Sequence, residues 1–263
     1  MSQNINFANH LDLALSCHNI RPEVALGLVQ MNGMMLQSLH QYTADKQIVM
    51  SAVSNNPVAI KYSSSCLRAD KDVIMCAVGK NGLMLCFAEI SLRGDVAIVS
   101  RAVAQTGMAL IYASSACKHN EAICELAVSQ CGQALRYAPT SVRSLARIVK
   151  IAVKNDGLAL EHCCAPLCSN LEIASAAIKQ NGLALEWVGV ELMKNNDELV
   201  MSALINAPMS IVFAPERYKK NNKLVAALCV LDPKVSTVMP SYSIRGYSLL
   251  SIATCHRVFA GGN

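Results

Sequence analysis

The densest group of side chains capable of chemistry is His162, Cys163, Cys164 and Cys168. Imidazoles and thiolates bind zinc, but zinc sites usually take two separated ligand pairs with turns between them. Here Pro166 also interrupts the i, i+4 relation of Cys164 and Cys168. A cysteine nucleophile would need a nearby base oriented by a third group. The remaining histidines, His10, His18, His40, His119 and His256, are scattered. The glycines stand singly, which leaves no phosphate-cradling loop. The residues therefore predict no catalytic site, no metal and no cofactor. The chain reads as a non-enzyme whose cysteines are free core thiols.

A second set of residues recurs with a fixed spacing. Tyr62, Phe87, Tyr112, Tyr137, His162, Trp187 and Phe213 form a ladder at steps of about 25 residues. The ladder holds six of the twelve Phe, Trp and Tyr residues, so its position selects for a ring. Such rings can pack one repeat onto the next, or line a groove that grips a partner, because Tyr and Trp bury a face and present a polar tip. A basic stripe, Arg68, Arg93, Lys118 and Arg143, follows six residues after the first four rungs, and Lys219 resumes it after Cys168 and Met193. Cations there suit the C-terminal end of a helix, where the dipole favours them. The other reading is an anion-binding edge.

Positioning these residues requires a repeating element. The turn residues are Gly33, Pro57, Gly82, Gly107, Gly132, Gly157, Gly182, Pro208 and Pro233. A fixed period of this length signals stacked repeats. Twelve residues before most turns stands an Asp or Asn suited to cap a helix: Asp45, Asp70, Asp95, Asn120, Asn170, Asn196 and Asn221, with Leu145 as the exception. Between cap and turn runs a half-buried helical stripe, as in Ile98, Val99, Ala102 and Val103. The small Ala invites close approach of a neighbouring helix. Glycine at the turn suits a helix C-terminus in the left-handed region, and proline stops one helix and starts the next. A second α-helix is predicted after each turn. Its Leu or Ile lies three residues past the turn and its ring five past, about 160° apart around that helix.

The fold class expected is all-α, an α-solenoid of stacked helix-turn-helix repeats with a period of about 25 residues. Its expected divisions are an N-terminal cap over 1–20, a repeat array over 21–245 and a C-terminal capping helix and tail over 246–263. Hydrophobic residues make up 53% of the 263-residue chain, enough to bury such an array. The net charge of +5 falls short of a nucleic-acid binder's basic footprint. Twelve cysteines without a paired framework suit a reducing compartment. Residues 1–10 are polar and do not read as a secretory signal. No apolar stretch has the length of a membrane span.

The phrase of cap, Ile/Val, Ala-Val, Asn-Gly, Leu-Ala-Leu and ring resembles the repeat family known as domain of unknown function 4116. Asp70 to Arg93 and Asn170 to Val188 carry the resemblance best, and it extends over about residues 22–240. It implies a tandem helical array of the kind found in effector-type proteins of intracellular bacteria and in protists. It implies no catalytic residue. The expected function is a protein-binding scaffold in a cytosol, that of a host cell included. The alternative is a nucleic-acid binder with aromatic rungs and a basic edge, and an enzyme with an unrecognised site comes third.

Overall fold

The computed structural model describes residues 20–239, which contain helices and turns and no strand. The N-terminal cap expected over 1–20, up to residue 19, and the closing element over 246–263 lie outside these residues. Nine α-helices of ten residues recur: α1 (Pro22–Met31), α2 (Lys46–Asn55), α3 (Lys71–Lys80), α4 (Val96–Gln105), α5 (Glu121–Gln130), α6 (Ala146–Asn155), α7 (Leu171–Gln180), α8 (Asp197–Asn206) and α9 (Asn222–Leu231). Their caps act as their chemistry requires. The Asp45, Asn170 and Asn221 side chains accept from the amides of Ile48, Ile173 and Leu224, satisfying donors that a first helical turn leaves free. Leu145 has no such oxygen, and α6 starts without a side-chain cap. The buried face is the expected stripe: Ile98, Val99, Ala102 and Val103 in α4, and Ile148, Val149, Ala152 and Val153 in α6.

After each ten-residue helix the chain passes through one extended residue, such as Asn81 at φ −147° and ψ 108°. After α1 to α8 the element that follows is not the α-helix anticipated. It is a 3-10 helix, six residues long in Pro57–Tyr62, Gly82–Phe87, Gly107–Tyr112, Gly132–Tyr137, Gly157–His162 and Gly182–Trp187. After α9 a short α-helix does follow, Val235–Val238. Asn81 caps its 3-10 helix by accepting from the Leu83 amide at 3.0 Å, and Asn181 does the same for Leu183. A short third helix, such as Ser65–Arg68 or Thr140–Arg143, leads to the next cap.

The turn glycine also has a different role from the one anticipated. Gly82 is the first residue of its 3-10 helix and does not occupy the left-handed region. What it provides is proximity: a Cβ there would lie 2.1 Å from the Ala102 carbonyl oxygen of the next repeat. The repeat Ala thus packs against the start of the preceding 3-10 helix.

A side-chain amide then fixes that start. Asn155 Oδ1 accepts from the Gly132 amide at 2.7 Å, Gln180 Oε1 from Gly157 at 2.6 Å and Asn206 Oδ1 from Gly182 at 2.8 Å. Gly33 and Gly107 donate likewise to Asn55 and Gln130. The same amides donate back across the joint, Asn55 to Gln30 O, Gln180 to Asn155 O and Asn206 to Lys179 O. Pro57 and Pro208 have no amide hydrogen to offer. The residues in the equivalent place of the following repeats are Lys80 and Leu231.

The chain divides into two compact units, Met1–Gln130 and Cys131–Asn263. In the first, α1 to α5 pack in succession, and the 3-10 helices from Gly33–Gln37 to Gly107–Tyr112 stack as a second layer. In the second, α6, α7 and α8 pack in succession beside the 3-10 helices from Gly132–Tyr137 to Pro208–Val212. Gly82–Phe87 touches its own α-helix, α3, and the one that follows, α4, and Gly157–His162 does the same with α6 and α7. The fold is an all-α solenoid of stacked helical repeats.

Candidate functional site

Three residues per turn re-draw the faces of the ring-bearing element. Successive side chains are about 120° apart, so residues three apart eclipse one another. Gly157 and Leu160 share one buried face. Ala159 and His162 share a second, with Ala159 buried and His162 half-buried. Leu158 and Glu161 share the third, and Glu161 is exposed. The ring is therefore about 120° from the buried Leu, and the separation of about 160° drawn for an α-helix does not hold.

Every rung is half-buried: Tyr62, Phe87 and Tyr112 in the first unit, and Tyr137, His162, Trp187 and Phe213 in the second. The hydroxyls of Tyr62, Tyr112 and Tyr137 meet no hydrogen-bonding residue among those described, and none is a buried unsatisfied group. They open to solvent. Lys61 lies over the Tyr62 ring at 5.7 Å and Arg136 over the Tyr137 ring at 5.5 Å, distances at which a cation is drawn to a ring face. His162 Nε2 pairs with Gln133 Oε1 at 2.9 Å, and burial holds its pKa below the ordinary 6.5. Exposed apolar side chains lie on the neighbouring open face, at Val58, Leu83 and Ile111.

The basic stripe turns back onto the protein. Arg68 Nη1 donates to Ser63 O at 3.0 Å, and Arg93 donates to Ala88 O at 2.9 Å and to Cys86 O at 2.8 Å. Lys118 Nζ donates to Ile111 O at 2.8 Å and Arg143 Nη1 to His162 O at 3.2 Å. These carbonyls lie at or just past the ends of the 3-10 helices, where intrahelical donors run out. Arg68, Arg93 and Lys118 cap the 3-10 helix before them, and Arg143 caps the one that follows it.

The cysteines at 163, 164 and 168 are not core residues as anticipated; all three are partly exposed. Cys163 and Cys168 touch through their sulfurs at 2.7 Å, whereas Cys164 Sγ points to Thr140 O at 3.7 Å. Among the described residues no group of three His, Cys, Asp or Glu side chains converges on a metal position. Cys124 is a core thiol, pushed up to about 11 by burial, and burial also raises Cys86 and Cys229. His40 and His119 are exposed, and His119 Nδ1 meets Ser115 O at 2.8 Å.

Two features are not anticipated from the sequence. The amide tie is signalled by Asn or Gln two residues before the turn that follows each Gly-type turn. The sulfur pair is hidden by a spacing of five, which fits no α-helical face.

Among the described residues no helix is long and apolar enough to cross a membrane. No curated protein and no solved structure matches the chain. The family pattern described as domain of unknown function (DUF4116) matches residues 22–68, 45–93, 95–143 and 147–193. Each match spans two of the 25-residue repeats, so the pattern treats as one domain what the structure builds twice. The repeats turning at Pro208 and Pro233 lie beyond the last matched residue. With most of its repeats matched in tandem, the chain belongs to the DUF4116 family.

Proposed function

We propose that the chain is a non-catalytic protein-binding scaffold that grips its partner with the half-buried rings of its 3-10 helices. One observation carries the reading: every rung keeps part of its ring exposed, while the residue eclipsed beneath it is buried at Met84, Ala109, Ala134, Ala159 and Ala184. Half-buried aromatic rows with free hydroxyls combine apolar area with hydrogen-bonding tips, the combination favoured at protein interfaces. The open face beside the rings carries mixed chemistry, with Lys61, Cys86 and Ile111 in one unit and Arg136, Glu161 and Glu186 in the other. A surface for nucleic acid would keep one sign of charge, and Arg68, Arg93, Lys118 and Arg143 are already directed at backbone carbonyls. The cysteine-rich composition suits work in a reducing cytosol, that of a host cell included for an effector-type protein.

Site-specific photo-crosslinking tests the reading. A photoreactive phenylalanine in place of Tyr137 should capture a discrete protein from cell extract. The same group at Lys154, exposed on α6, should not. Capture of nucleic acid at 137, or equal capture at both positions, would overturn the proposal.

A further inference from the structure

The positions of Cys163 and Cys168 meet in other repeats as well. Their counterparts include Ser63 and Arg68, and Ala88 and Arg93, where the Arg side chain donates to the carbonyl of its partner position. In one repeat alone the small residue and the cation are both replaced by cysteine, and the two sulfurs meet at 2.7 Å. That approach is within about 1 Å of a sulfur–sulfur bond. The missing cation is compensated from the preceding repeat, where Arg143 donates to His162 O.

Reagents can reach this pair. The short helix Ala165–Cys168 buries none of its residues, whereas its counterparts bury Leu67, Cys117, Val142 and Tyr218. Cys164 is turned away toward Thr140.

We propose that Cys163 and Cys168 are a redox modification site, a dithiol that closes reversibly to an intramolecular disulfide with glutathione disulfide as oxidant. Cys168 is the attacking sulfur. The contact between the two sulfurs lowers Cys168 below the ordinary thiol value and raises Cys163, and the thiolate is the nucleophile in such exchange. Cys168 bonds to one sulfur of glutathione disulfide, that disulfide breaks, and one glutathione leaves as thiolate and takes a proton. Cys163 then gives its proton to water and attacks the Cys168 sulfur, expelling the second glutathione. Two protein thiols are oxidised and one glutathione disulfide is reduced to two glutathiones. Closure ties the short helix to the 3-10 helix that bears His162. The inference stands independently of the partner-binding proposal.

The test uses the reduced full chain, treated with glutathione disulfide, alkylated under denaturing conditions without reductant, digested and mapped by mass spectrometry. The peptide holding the three cysteines should be lighter by two hydrogens, carry alkyl only on Cys164, and regain two alkylation sites after reduction. Full alkylation of all three, a bond that includes Cys164, or bonds only between chains would overturn the proposal. In Cys163→Ser, glutathione should remain on Cys168 as a stable mixed disulfide. Cys164→Ser should close like the parent chain. Absence of the mixed disulfide in the first variant, or lost closure in the second, would equally contradict it.

Discussion

At Gly82 the next repeat leaves no room for a methyl group, since the obstacle is the Ala102 carbonyl and not a movable side chain. Gly82→Ala should therefore destabilise the chain by at least about 1–3 kcal/mol through overpacking. Gly27, in the interior of α1, has open space around it, with nothing within 4 Å of where a methyl group would sit. Gly27→Ala should raise stability by roughly 0.5–1 kcal/mol. Denaturant titration of both variants checks the contrast. The cap missing at Leu145 can be restored: Leu145→Asn should add about 1 kcal/mol in the same titration. His162 gives the chain a pH dependence. Its folded pKa lies below 6.5, so the unfolded chain binds the proton more readily and stability rises with pH through this range. The contribution is present above about pH 6.5 and lost as pH falls through the folded value. His162→Phe should flatten that part of a melting-temperature profile.

At the scale of the element, the ten-residue helices are legible in the sequence because cap, stripe and turn agree, as at Asp95, Ile98, Ala102 and Gly107. The 3-10 helices are not. Over six residues such as Gly182 to Trp187, periods of 3.0 and 3.6 give nearly the same apolar pattern. The choice is made by what lies outside the segment. Ala203 O crowds the Gly182 end, Asn181 caps it, and the chain must turn into the next short helix. The ladder is legible as a set of positions, and its half-buried geometry follows only from the 3-10 winding. The amide ties look like ordinary polar residues at exposed helix ends. Gln180→Ala removes both the acceptor of Gly157 N and the donor to Asn155 O. It should cost about 1–3 kcal/mol, because the Gly157 amide is left part-buried and unpaired. A melt of Gln180→Ala beside Leu231→Ala, whose preceding turn is Pro208, separates the tie from general helix-end effects.

At the scale of the molecule, repetition separates the residues that build the stack from those that vary. Stripe, cap, glycine and amide repeat because each repeat must dock on its neighbour in the same way, whereas the residues beside the rings vary from Lys61 to Glu186. Repeat proteins distribute binding over such variable positions. We propose that each ring serves both packing and a partner. The most direct test is the affinity of Tyr137→Phe for the protein captured at position 137. Packing area is kept, so only the solvent-facing hydroxyl is lost. An affinity about tenfold weaker is expected, the scale of one well-placed hydrogen bond. Full affinity in Tyr137→Phe would contradict a ladder that presents its polar tips to a partner.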